Sequence, residues 1–146
     1  MSELKEQLDI IRSIRGQGGF ARKWSSDFQV GIPDIVAALP GIGAFFIEVK
    51  FERVTRWDFD RKIGITPLQK ICLREIAEAG GIAIIGVAVR GPSSKDRWLH
   101  LLPFDAERVA RDDHGCFGVA IAWEPGVGYN VRDGVSQIIG GKTWTE

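Results

Sequence analysis

A mixed β-sheet flanked by helices, in an α/β or α+β arrangement, is the fold class this chain of 146 residues predicts. Its segments read in the order helix, strand, strand, helix, strand. Both helical segments carry apolar residues at helical spacing. The strand segments are short, rich in branched residues and bounded by glycine or proline.

Ser2 is placed to cap a first helix running to about Arg15, with Leu4, Leu8, Ile11 and Ile14 on one stripe and Ile10 at its flank. Gly16, Gly18 and Gly19 stop it. Phe20 to Gly31 is mixed and predicts a short strand or a loop. Ile35 to Leu39 is an apolar run opened by Pro33-Asp34 and closed by the turn signal Pro40-Gly41-Ile42-Gly43. Ala44 to Val49 is a second such run, so the two predict a hairpin of buried strands.

Phe51 to Ile65 is polar, shows no clean period and predicts a loop. Thr66 then caps a second helix with Pro67 in its first turn, and Leu68, Ile71, Cys72, Leu73 and Ile76 form its apolar stripe. Gly80-Gly81 ends that helix, and Ile82 to Val89 predicts a third, central strand. Trp98 to Leu102 and Val119 to Trp123 predict two more, with a short helix from Asp105 to Arg111 between them. No repeat, linker or low-complexity stretch divides the chain. The expectation is one domain over 1–146, with a core over about 1–103 and a C-terminal part from about 104 that serves as an extension or a dimer surface.

Apolar residues at 45% and charged residues at 26% exclude disorder, and the longest apolar run, Gly80 to Val89, is too short for a membrane span. The N-terminus has no signal-peptide layout, and two cysteines make no disulfide framework, so a cytoplasmic protein is expected. Basic and acidic residues balance at 19 each, without the basic excess of most nucleic-acid binders. Locally the balance breaks. Arg12, Arg15, Arg22 and Lys23 lie in a stretch free of acids, and Arg53, Arg56, Arg61 and Lys62 form a second basic group.

Chemistry is carried by Gly31-Ile32-Pro33-Asp34 followed by Phe46-Ile47-Glu48-Val49-Lys50. Glu48 and Lys50 lie two apart on one strand and share a face. The hairpin brings Asp34 alongside them. Two carboxylates and an ammonium that converge at a sheet end are costly unless they hold something. Hard oxygen ligands suit Mg²⁺, with Mn²⁺ a possible substitute, and Val49 could add its carbonyl. Such an ion would polarise a phosphodiester and lower the pKa of a bound water, while Lys50 orients that water or offsets charge in the transition state. Read singly, Glu48 and Lys50 could be a strand-edge salt bridge and Asp34 a turn former.

Pro-Asp, a short hairpin and Glu-Val-Lys resemble the signature of the PD-(D/E)xK nuclease superfamily, whose core is like that of restriction endonucleases. The wider pattern is similar to VRR-NUC phage nucleases and to archaeal-type Holliday-junction resolvases. It is carried by Glu3, Gly31 to Ile35, Ile47 to Lys50, Thr66-Pro67-Leu68-Gln69 and Gly80-Gly81-Ile82-Ala83, in that order over roughly residues 3 to 90. The resemblance implies a metal-dependent DNA endonuclease acting on branched DNA as a homodimer. It also implies a further acid on the first helix. Glu3 and Glu6 compete for that role: Glu3 falls roughly 65° and Glu6 roughly 125° from the centre of the apolar stripe, which favours Glu3 at the edge of the core. Gln69 is implied to face the site, and Arg22, Lys23 and Ser25 to meet the DNA backbone. The segment holding Arg53, Arg56, Trp57, Arg61 and Lys62 would be ordered by DNA.

Asp112, Asp113, His114 and Cys116 match no strong zinc spacing, and His100 lies in an apolar strand as a structural residue. No dedicated sequence reader is visible, so shape and backbone recognition are expected. The rival readings are a nicking, flap or sequence-specific endonuclease, and a DNA-binding protein that keeps the nuclease fold without activity.

Overall fold

Helix α1 (Glu3–Gly16) ends where Gly18 adopts φ +81°, and the amides of Gly18 and Gly19 turn back to the carbonyls of Arg15 and Ile14, each at 3.0 Å. Glycine takes that left-handed conformation at little cost, so the stop lies in the expected place. The structure, a computed structural model, describes residues 3–24, 31–53, 64–91, 93, 96–104 and 118–140, with the backbone alone at residue 53.

Seven strands form one mixed sheet whose spatial order follows the chain: β1 (Phe20–Lys23), β2 (Ile35–Leu39), β3 (Gly43–Arg53), β4 (Ile82–Arg90), β5 (Arg97–Pro103), β6 (Val119–Glu124) and β7 (Gly128–Tyr129). All neighbours are antiparallel except β3 and β4, which run parallel because helix α2 (Pro67–Glu78) carries the chain back between them. A third helix, α3 (Val131–Ile139), follows β7. This is the α+β mixed sheet that the segment order predicts.

The two faces of the sheet bury separate clusters. On one, Phe45, Ile47 and Val49 of β3 meet Ile10, Ile11 and Ile14 of α1, together with Ile84, Leu99 and Leu101. On the other, Leu73 of α2 covers Ala83, Ile85, Val87 and Val89. β4 is therefore buried on both sides, as a central strand flanked by crossovers must be. Each buried aliphatic side chain contributes roughly 1.5–3 kcal/mol. Val119, Ile121, Tyr129, Val131 and Val135 belong to the first cluster, so the C-terminal strands and α3 complete the core that α1 begins.

Three expectations are corrected. Phe51 to Arg53, predicted as the start of a loop, belong to β3, because β4 continues alongside and pairs Phe51, Glu52 and Arg53 with Ala88, Val89 and Arg90. Leu4 and Leu8 are exposed, whereas Glu6, Gln7, Asp9 and Ser13 are buried with Ile10, Ile11 and Ile14. The reason is a polar cluster described below, which turns α1 away from its purely apolar stripe. Finally, β7 and α3 were not predicted, although Asn130 caps α3 by accepting from the Asp133 amide at 3.1 Å.

Ser2, the helix expected from Asp105 to Arg111, and the cluster of Asp112, Asp113, His114 and Cys116 lie outside the described residues. None of the described helices is long and apolar enough to cross a membrane.

Candidate active site

β2 and β3 pair with Ile35 opposite Ile47, and continuing that register by one residue sets Asp34 across from Glu48. The Asp34 Oδ2 accepts the Val49 amide at 2.8 Å, which pins the carboxylate to β3. The approach to Asp34 depends on Gly31, at φ +89°. A Cβ there would stand 2.6 Å from the Leu68 carbonyl oxygen of α2, so only glycine lets the segment pass this close to the helix.

Side-chain alternation sends Phe45, Ile47 and Val49 into the core under α1 and leaves Phe46, Glu48 and Lys50 on the α2 face. Lys50 Nζ lies 3.8 Å from Glu48 Oε1. Gln69 completes the arrangement: its Oε1 accepts from Lys50 Nζ at 3.1 Å, and its Nε2 donates to Glu48 Oε1 at 2.8 Å. The same Oε1 accepts the Thr66 amide at 2.9 Å, while Thr66 Oγ1 accepts the Gln69 amide at 3.2 Å. Helix α2 thus starts with a capping box whose glutamine also holds two charged groups of the site. One residue links helix initiation to site geometry.

Glu48 is 2% exposed, and its buried Oε2 has no hydrogen-bond partner among the described residues. Burial, then the negative charge of Asp34, then a proton that the two neighbouring carboxyls can share, and least the charge of Glu3, push its pKa up to about 8, against the opposing pull of Lys50. A carboxyl shifted in this direction holds its proton more tightly than an ordinary glutamate does. A buried acceptor without a donor costs free energy. A divalent ion would supply the missing partner and reverse the repulsion between the carboxylates. Among the described residues no group of three or more His, Cys, Asp or Glu is gathered as a metal cage. Mg²⁺ needs none, since it is commonly held through one or two carboxylates with the rest of its shell left to water and substrate. Asp34 and Glu48 fit that requirement.

Glu3 stands exposed at the start of α1, near enough for its charge to be felt at Glu48. Glu6 is committed elsewhere. It is 0% exposed and binds Arg90 through Oε1, at 3.0 Å from Nε and 2.8 Å from Nη2. Its Oε2 accepts from Arg97 at 3.1 Å and from the Tyr129 hydroxyl at 3.3 Å. Arg97 also binds Asp9, reaches the Tyr129 oxygen at 3.1 Å, and stacks 3.6 Å above the Trp123 ring centre. Burial opposes its charge, yet the two carboxylates around it raise its pKa above the ordinary value. This cluster joins α1 to β4, β5 and β7 and so holds in place the helix that presents Glu3.

Arg22 and Lys23 are exposed on the edge strand β1. Ser25, Arg56, Arg61, Lys62 and Trp57 lie outside the described residues, as does the Arg53 side chain. His100 is buried in β5, and burial lowers its pKa to about 4, in keeping with a structural role.

Fold and site together define an α+β mixed-sheet protein in which an acidic pair, a lysine and a glutamine converge beside the first turn of α2. Among solved structures the chain is similar to Hjc, a Holliday junction resolvase from the archaeal hyperthermophile Archaeoglobus fulgidus. The TM-score is 0.48 and the sequence identity 20%, over 68% of this chain and 75% of that one. No protein-family model and no curated protein matches the chain.

Proposed function

We propose that this chain is a magnesium-dependent DNA endonuclease that hydrolyses phosphodiester bonds in branched DNA, with the four-way junction as its substrate. One observation carries the reading: the buried Glu48 carboxyl, with one oxygen that receives no hydrogen bond from a described residue, lies beside the Asp34 carboxylate and 3.8 Å from Lys50 Nζ. The ordered motifs from Gly31 to Ala83 support it, as does their resemblance to the PD-(D/E)xK signature.

Asp34, Glu48 and the main-chain carbonyl of Val49 would hold the ion, with Mn²⁺ as a substitute. The ion supplies Lewis-acid stabilisation of charge on the scissile phosphate. Lys50 places a positive charge where the attacking oxygen and the phosphate meet, and orients the water. Gln69 holds Lys50 and Glu48 in register, so neither side chain must be ordered when the substrate arrives. Glu3 adds an acid at the mouth of the site. Arg22 and Lys23 meet the DNA backbone, and two copies related by a two-fold axis would cut symmetric strands.

A labelled four-way junction, incubated with wild type and with Asp34→Asn, tests this. Wild type is expected to cut with Mg²⁺ and not with EDTA, and Asp34→Asn to cut in neither. Equal cutting by both proteins would remove Asp34 from the mechanism. Cutting of flap or plain duplex in preference to the junction would reassign the substrate.

A further inference from the structure

The α2 face of the sheet is covered by α2 over β4, yet toward β1 it carries aromatic groups open to solvent. Phe20 is 49% and Trp24 41% exposed, large fractions for such rings. Alternation places Phe20, Arg22 and Trp24 on the side opposite the buried Ala21. Register lines them up across the sheet: Phe20 opposite Ala38, Arg22 opposite Val36, and Val36 opposite Phe46. Trp24 and Phe46 lie with ring centres 5.9 Å apart, and the Arg22 guanidinium lies 5.6 Å from the Phe20 ring centre. The small side chains of Val36 and Ala38 leave a shallow floor between the rings.

Two connections tie this face to the catalytic centre. The Trp24 amide donates to the Asp34 carbonyl at 2.8 Å. Phe46 precedes Glu48 by two residues on the same strand and faces the same side, their Cα atoms one strand repeat, about 6.5–7 Å, apart.

We propose that Phe20, Trp24 and Phe46, with Arg22, form a stacking platform for unpaired DNA bases next to the scissile phosphate. The proposal rests on the nuclease reading and names the part of the substrate that this face takes. Aromatic rings beside cations bind single-stranded nucleic acid because every base has a π-face and every nucleotide a negative charge. Duplex DNA keeps its bases stacked on one another and cannot use such rings. The face therefore favours a strand whose bases are open at a branch point.

The test is binding in EDTA, where cutting plays no part, to a labelled oligothymidylate of about twelve nucleotides and to a blunt duplex. Trp24→Ala is expected to weaken oligothymidylate binding about ten-fold or more while changing duplex binding by less than about two-fold. Trp24→Phe, which keeps a ring, should restore most of the loss. Phe20→Ala, on the exposed edge, provides a second variant should Trp24→Ala fail to fold. Equal losses on both DNAs, no loss on either, or wild type that does not prefer the single strand would overturn the proposal. So would light scattering that shows Trp24→Ala converting a dimer to monomer, which would assign the face to a second copy. Failure of the nuclease reading shows itself separately, as wild type that leaves the labelled junction uncut with Mg²⁺.

Discussion

Replacing Arg97 by methionine is expected to destabilise the protein by about 3–5 kcal/mol in urea unfolding at neutral pH. Arg97 is the hub of the buried cluster, binding Glu6, Asp9 and the Tyr129 oxygen while it lies over Trp123. Methionine keeps an unbranched apolar stem but no guanidinium, so it leaves Glu6 with Arg90 and the Tyr129 hydroxyl and strips Asp9 of its buried partner. Asp9 keeps only distant contacts, to Lys5 at 3.9 Å and Arg12 at 3.6 Å, both from largely exposed side chains. Exposed pairs of that kind contribute little. The loss should also reach the site, because α1 and Glu3 are held by this cluster. A change below about 1 kcal/mol would mean that water replaces Arg97 freely and that the cluster does not fix α1.

Lys50→Met is expected to lower kcat for junction cleavage by about 10²–10⁴ with little change in KM. The substitution removes a cation that Gln69 holds beside Glu48, and it leaves the α2 cap intact because Thr66 and Gln69 bind each other directly. The fold should therefore survive, and circular dichroism checks that it does. Lys50 also opposes the rise in the Glu48 pKa, so its loss should make Glu48 harder to ionise. Full activity in a folded Lys50→Met protein would reduce Lys50 to a salt-bridge partner.

What could be read from the sequence was local. The Pro33-Asp34 opening, the Gly41 turn, the alternation of Glu48 and Lys50, and the Thr66-Pro67 cap are each set within a few residues of chain, and the structure has them where spacing puts them. The hairpin register then follows, because slipping it by one residue would drive Ile35 and Ile47 out of the core. The Glu6–Arg90–Arg97–Tyr129 cluster was not legible. Its other members lie 84 to 123 positions from Glu6, and no periodicity links them to it. For the same reason the buried side of α1 was misread: Glu6 and Asp9 look like surface acids until their arginines arrive from β4 and β5. Helix α3 left a readable trace in Asn130, Val131, Val135 and Ile138, but a nine-residue helix interrupted by Gly134 has a weak signal of its own. Its stability comes from the cluster it joins with Ile121 and Leu101, and a Cβ at Gly134 would stand 2.6 Å from Leu101 Cδ1, so that side chain would have to shift.

Whether Asp34 and Glu48 grip a divalent ion is tested most directly by titrating the metal-free protein with Mn²⁺ at about pH 6 and about pH 8, following binding and proton release by calorimetry. With the Glu48 carboxyl raised to about 8, the ion must displace a proton below that pH, so affinity should climb from the lower pH to the higher. Close to one proton should leave per ion at the lower pH, and Asp34→Asn should abolish binding at both. Mn²⁺ bound equally well by Asp34→Asn, or with the same affinity at both pH values and no proton released, would contradict the account.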